Sequence, residues 1–154
     1  LAQMNADLEV MKHFPKPLKK AESAYQLKKL QKQYQIQGYT YFAVEIFKTE
    51  EFIGFIGLAN QSYKTKFTPA IDIGWRLKKE AWHKGYATEG ALKCLEFGFD
   101  SVKLERIIAT CTIGNIKSEN VMKKIGMIKK GNFIHPELSK YPNLEECVWY
   151  EIKK

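Results

Sequence analysis

The sequence predicts a mixed domain of α/β or α+β class, built on a central sheet that contains at least one parallel pair of strands. Two aromatic and β-branched runs flank the turn Thr49-Glu50-Glu51, which is the pattern of a hairpin. The later part of the chain then alternates strand, helix, strand, helix, strand, and a strand–helix–strand unit returns its second strand parallel to the first. Apolar residues make up 45% of the 154 and aromatics 13%. That is enough to fill one core without disulfide or metal staples, so residues 1–154 are read as a single domain.

Leu1 to about Val10 reads as the tail of a helix, stopped near Pro15 and Pro17. From Ala21 to Gln37, Leu27, Leu30 and Tyr34 recur at helical spacing, and Gly38 ends the pattern. Tyr39–Phe47 and Phe52–Ala59 are the hairpin strands, and Asn60–Thr68 is a polar loop. In the strand Ala70–Leu77, Ile71, Ile73 and Trp75 share one face, with Asp72, Gly74 and Arg76 on the other. A helix runs from Tyr86 to about Val102, with Leu92, Leu95, Phe99 and Val102 as its inner stripe. A strand over Arg106–Thr112, a helix over Asn115–Ile125 stopped by Gly126, and strands over Met127–Phe133 and Cys147–Ile152 complete the pattern. There is no repeat or low-complexity linker.

Net charge is +8, carried by lysines scattered singly and in pairs. Such a surface suits an anionic cofactor, nucleic acid or solubility alone. No RNA- or DNA-reading motif supports a nucleic-acid binder. Cys94, Cys111 and Cys147 are odd in number, widely spaced and free of CxxC or Cys/His clusters. They read as free thiols in a reducing, cytoplasmic setting, with no metal site. No apolar run approaches the ~20 residues that span a bilayer, and no signal-peptide pattern is present. The chain opens on Leu1 inside an apparent helix, so residues are expected to precede it in the natural protein.

The stretch His83-Lys84-Gly85-Tyr86-Ala87-Thr88 lies between the Ala70–Leu77 strand and a helix. A helix start leaves several N–H groups unpaired and carries partial positive charge. Small residues at Gly85 and Ala87 let an oxyanion approach that backbone, while Lys84 adds charge and Thr88 a hydroxyl. This is the physics of a pyrophosphate site, although a glycine before a helix also serves as plain punctuation. The glycine spacing is neither a Walker A loop nor a dinucleotide fingerprint.

The segment from Ile71 to Met127 resembles the acyl-CoA-binding core of the GNAT acetyltransferases, in the branch similar to the ribosomal-protein-alanine N-acetyltransferases. Trp82-His83-Lys84-Gly85-Tyr86-Ala87 matches the family's cofactor loop, and Asn115-x-x-Ser118 matches its second block. The stretches Asn5–Leu18 and Glu50–Leu58 also look like this branch, so the resemblance covers nearly the whole chain. It implies a GNAT fold: a mixed, mostly antiparallel sheet flanked by helices, whose fourth and fifth strands run parallel and splay apart. Here those strands are Ala70–Leu77 and Arg106–Thr112. The family's first strand is absent before Leu1, and the resemblance implies that it exists in the natural protein.

The resemblance also implies acetyl-CoA as co-substrate and no metal. Backbone groups of Trp75, Arg76 and Leu77 would pair with pantetheine. Amides from Lys84, Gly85, Tyr86, Ala87 and Thr88 would hold the pyrophosphate, Asn115 would bond pantetheine, and Ser118 would lie near the sulfur. The family moves acetyl directly to an amine, which must lose a proton while the leaving thiolate gains one. Asp72 is the candidate base, on a strand face it shares with Gly74, whose missing side chain is expected to leave room for a substrate; a structural carboxylate is the alternative. Ser118 is the candidate acid, with helix capping as the alternative. Glu45 is a second, weaker carboxylate candidate, and His135, before Pro136, is a candidate at the acceptor site or a turn residue. The acceptor is a protein N-terminus, a lysine or a small-molecule amine, and the protein a monomer or homodimer. A CoA-binding sensor without turnover is the first alternative, and a basic nucleic-acid-binding domain the second.

Overall fold

A computed structural model describes all of residues 1–154. The elements are α1 (Ala2–Ala6), α2 (Lys20–Gln37), β1 (Tyr41–Ile46), β2 (Glu51–Gln61), β3 (Ala70–Leu77), α3 (Tyr86–Asp100), β4 (Arg106–Thr112), α4 (Ile116–Lys124), β5 (Ile128–Ile134) and β6 (Glu146–Lys153). Short 3₁₀ turns lie at Lys79–Ala81 and Pro136–Leu138. The six strands form one sheet in the order β1-β2-β3-β4-β6-β5. Every neighbouring pair is antiparallel except β3 and β4, which the α3 crossover makes parallel. β2 and β3 pair over eight positions, from Gly54↔Leu77 to Gln61↔Ala70. β3 and β4 share a single paired position, Asp72↔Ile108, so the two strands part on the C-terminal side of Asp72.

The main core lies where α3 and α4 cover the sheet, and it contains Ile53, Ile56, Leu58, Ile73, Ile107, Leu95, Met122 and Tyr150. Of the expected inner stripe of α3, Leu95 is in the core and Phe99 and Val102 pack against it, but Leu92 does not. Ala91, Leu95 and Gly98 are buried, while Leu92 is 48% exposed. The reason is distance. A Cβ on Gly90 would stand 2.5 Å from Ile56 Cδ1, and one on Gly98 2.8 Å from Ile107 Cδ1. Branched side chains of the sheet fill the interface, and the helix presents its small residues to them.

The N-terminal region corrects a second expectation. The helix expected through Val10 ends at Ala6, where Asp7 turns extended. Its Oδ1 accepts the Glu9 and Val10 N–H groups at 2.8 and 3.0 Å, offering the backbone a turn in place of a helical ladder. α2 forms where expected, and Glu22 accepts the Lys19 N–H at 2.7 Å at its start. Its apolar residues do not build a packed stripe, however: Leu27 and Tyr34 are 45% and 51% exposed, and Ser23 is the one buried residue. β2 also runs two residues into the expected loop, through Asn60 and Gln61.

A polar cluster joins α1 and α2 to the sheet. Asn5 is fully buried and donates Nδ2 to Ser23 Oγ (3.1 Å) and Gln26 Oε1 (2.9 Å). Its Oδ1 accepts from Arg76 Nη1 at 2.9 Å. The Arg76 guanidinium sits 4.0 Å from the Phe14 ring centroid and 5.2 Å from that of Phe55. No carboxylate faces it, and burial pulls its pKa down to about 10. Phe55, Met4 and Val10 close this region as a small apolar cluster.

Asp72 is buried on the same sheet face. It accepts from Tyr41 Oη at 2.7 Å and Gln61 Nε2 at 2.9 Å. Burial raises its pKa to about 6, and these bonds only partly oppose the shift.

Two expectations follow for stability. Asn5→Ala strands the donors and acceptors of Ser23, Gln26 and Arg76, and should cost about 2–4 kcal/mol in urea denaturation. Asp72 titrates near 6 when folded but near 3.8 in its ordinary state. The native protein therefore holds the extra proton between those values, and its stability falls as pH rises through them. At 1.36 kcal/mol per pH unit, Asp72→Asn should gain about 2–3 kcal/mol relative to the parent between pH 4 and pH 6.5. Denaturation curves at the two pH values check this, and an unchanged difference would refute the shift.

Candidate active site

Where β3 and β4 part, a groove of about 510 Å³ opens. Trp75, Arg76 and Leu77 form one wall, and Asn115 and Ser118 at the start of α4 form the other. Gly85, Tyr86, Ala87 and Thr88 close one end, and Val10 to Phe14 of the N-terminal segment form part of the lining, Met11 excepted. Of the expected cofactor contacts, the groove gathers Trp75, Arg76, Leu77, Gly85, Tyr86, Ala87, Thr88 and Asn115, together with Ser118. Lys84 is exposed and does not line it.

At the loop end, Gly85 is the N-cap of α3 with φ +85°, a conformation that L side chains rarely adopt. A Cβ built there would meet nothing within 4 Å, so the space above the backbone is open. No side chain caps the helix, and its first backbone bond is Glu89 N–H to the Gly85 carbonyl at 3.0 Å. The amides of Tyr86, Ala87 and Thr88 precede that bond and are left for an anion. The cations that line the groove are Lys12, Arg76, Lys117 and Lys124. Lys117 Nζ sits 3.7 Å from the centroid of the Trp82 ring, and Trp82 Nε1 donates to the Leu77 carbonyl at 2.9 Å. The Leu77 carbonyl is thus already engaged, which leaves Gly74 to Arg76 as the free edge of β3 facing the gap.

At the α4 end, Asn115 is the N-cap and its Oδ1 accepts the Ser118 N–H at 3.3 Å. The cap is therefore Asn115. The half-buried Ser118 hydroxyl makes no hydrogen bond within the chain and lines the groove. The thiols of Cys94, Cys111 and Cys147 are pushed up to about 11, 12 and 11 by burial, which keeps them protonated and poor nucleophiles.

The remaining candidates lie apart from the groove. Asp72 faces Tyr41 and Gln61, and does not line it. The open space expected beside Gly74 is taken by Tyr41: a Cβ on Gly74 would stand 2.9 Å from Tyr41 Oη. Glu45 is exposed on the edge strand β1, opposite Phe52. His135 caps the Pro136–Leu138 turn, its Nδ1 accepting the Glu137 N–H at 3.3 Å, and packs 4.3 Å from the Tyr63 ring.

Sequence reasoning missed the N-terminal wall and Lys117. His13 Nδ1 lies 3.2 Å from Thr112 Oγ1, linking Met11–Phe14 to the C-terminal end of β4. Burial, then Lys12 and Lys117, lower the His13 pKa below its usual 6.5. The one sequence signal was Asp7, whose propensity for a local turn frees the following residues from the helix.

The chain is similar to known proteins. The family described as Acetyltransferase (GNAT) domain matches residues 1–128. An N-acetyltransferase of Bacillus subtilis named YnaD, itself uncharacterized, is 48% identical over 71 residues, which is 46% of this chain and 42% of that protein. The matched stretches span about half or less of the first curated relatives, at 42%, 51% and 49% of their lengths. The crystal structure of a GNAT-family acetyltransferase from Bacillus anthracis superposes with a TM-score of 0.81 at 28% identity, covering 99% of this chain and 86% of that one. The spermidine N-acetyltransferase of Vibrio cholerae, solved with CoA and spermine, shares the fold at a TM-score of 0.75 and 16% identity, with coverage of 99% and 86%. The parallel pair that parts over a groove, the glycine-started helix beside it and these similarities agree: the chain belongs to the GNAT acetyltransferase family.

Proposed function

We propose that the protein transfers an acetyl group from acetyl-CoA directly to a primary amine, in the groove between β3 and β4. The observation that carries this reading is the backbone cradle at Gly85–Thr88, open to an anion, at one end of a groove whose walls are two strand and helix ends. The fit to the co-substrate is chemical as well as spatial. A diphosphate needs unpaired amides and nearby cations, and Tyr86, Ala87, Thr88, Lys117 and Lys124 supply them. A pantetheine arm carries amides, and the free edge of β3 from Gly74 to Arg76 offers backbone partners for them. That CoA occupies the Vibrio cholerae enzyme of the same fold supports the assignment.

Acetyl-CoA supplies an activated acetyl group with a thiolate as its leaving group. The protein's tasks are then to orient the thioester, exclude water and handle protons. Asn115 holds the first turn of α4 through its Oδ1 and keeps Nδ2 free to bond the arm. The unengaged Ser118 hydroxyl is assigned to the departing sulfur. Asp72 acts at a remove, fixing Tyr41 beside Gly74 on the sheet face next to the groove. The acceptor is a protein N-terminus, a lysine or a small amine. The three free, protonated thiols suit a reducing compartment, which fits a cytoplasmic acetyl-CoA pool.

Replacing Gly85 with Val introduces a branched side chain where φ is +85° and where the anion would sit. Its acetyl-CoA affinity, by calorimetry, should drop at least about tenfold, and unchanged affinity would overturn the cofactor assignment. Ser118→Ala should lower kcat by about 10- to 100-fold with little change in acetyl-CoA affinity. A thiol-release assay across peptide, polyamine and aminoglycoside acceptors tests turnover itself. Acetyl-CoA binding without acceptor-dependent thiol release would instead establish a sensor.

A further inference from the structure

Acetyl transfer to an amine needs a group that takes a proton at the reacting nitrogen. Among the side chains that line the groove, few are able to do so. Lys12, Lys117, Lys124 and Arg76 are cations, and the lining histidines are His13 and His83. His83 is exposed, in the loop before Gly85 at the anion end. Glu9 is exposed at the N-terminal wall. Asp72 is turned to Tyr41 and Gln61 and does not reach the groove wall.

His13 differs from all of these. It is half-buried, it lines the groove with Trp75 and Ser118, and it is held 3.2 Å from Thr112 Oγ1 at the C-terminal end of β4. That end stands across the gap from the Trp75–Leu77 wall, where the two parallel strands have parted. The bond engages Nδ1 and leaves Nε2 as the unengaged nitrogen. In the tautomer whose Nδ1–H donates to Thr112 Oγ1, Nε2 carries a free lone pair.

We propose that His13 is a catalytic residue of this groove, its Nε2 taking the proton from the acceptor amine directly or through one water. The inference rests on the acetyl-transfer reading above. The charged groups around the ring are Lys12 and Glu9 on its own segment, Lys117 on α4 and Arg76 on β3. Burial first, then Lys12 and Lys117, depress the imidazolium and so favour the neutral ring, the form able to accept a proton. The proton count closes. An ammonium acceptor carries three protons on nitrogen and the amide product keeps one. The amine lone pair forms the C–N bond as the C–S bond breaks. One released proton goes to the sulfur, and the other passes to His13 and then to solvent.

The test compares His13→Gln and His13→Ala with the parent in kcat and KM from pH 5.5 to 9.5, using an α-amine peptide or the best acceptor found. Acetyl-CoA affinity and thermal midpoint are measured alongside. Both variants should bind acetyl-CoA within about twofold of the parent and lose about tenfold or more in kcat at pH 7. The acidic limb of the kcat profile should also move. In the parent it should lie on the acid side of an ordinary imidazole's, because burial and the neighbouring lysines lower His13. In the variants it should rise toward the amine's own pKa, near ~8 for an α-amine. A folded variant with the parent's kcat and the same acidic limb overturns the role of His13 while leaving acetyl transfer intact. A parent that acetylates no amine overturns both.

Discussion

The structure turns on the parting of β3 and β4. A parallel pair ordinarily continues its ladder as far as both strands run, yet here it is limited to Asp72↔Ile108. Beyond that position β3 keeps its partner β2, and β4 keeps β6, so neither strand is destabilised by the loss. Each is left with one row of unpaired backbone groups facing a gap, which is a demand for hydrogen-bonding partners in a place that a polyamide arm can reach. The connection between the strands passes through Gly85 and α3, so the same crossover that makes the pair parallel delivers a helix N-terminus to the end of the gap. The topology and the open helix N-terminus are thus consequences of one strand–helix–strand unit.

The groove's remaining wall is attached by a different kind of force. α1 and α2 bury little apolar surface, and α2 has one buried residue. Their position depends on Asn5, which joins Ser23, Gln26 and Arg76, and on Arg76 lying against Phe14 and Phe55. A buried guanidinium without a carboxylate is costly in isolation. Here aromatic faces and an amide oxygen offset part of that cost, and in return they hold the segment that carries His13 over the strand ends.

The β3 wall, the glycine loop and the Asn115–Ser118 end of the groove were legible in the sequence because their determinants are local. Gly85 followed by a helical pattern announces a helix start with unpaired amides, and Asn115 three residues before Ser118 announces a cap. What misled were features decided between elements. The large residue Leu92 looked like the inner face of α3, but Gly90, Ala91 and Gly98 are the ones against Ile56, Leu58 and Ile107. Gly74 looked like open space, and Tyr41 from a neighbouring element fills it. The partner of His13, Thr112, is 99 positions away, so no local pattern places His13 at the groove.

The sequence by itself determined the order and type of the elements, the parallel crossover and the position of the glycine-started helix beside the groove. Each of these follows from periodicity, from glycine's access to positive φ, or from capping chemistry within a few residues. The tertiary structure alone decided which cations face the groove, where Asp72 points, and that the segment before α2 becomes a wall of the site. Those outcomes are set by contacts between residues far apart in the chain. They depend on which surfaces remain after the core has packed, and no local pattern encodes that.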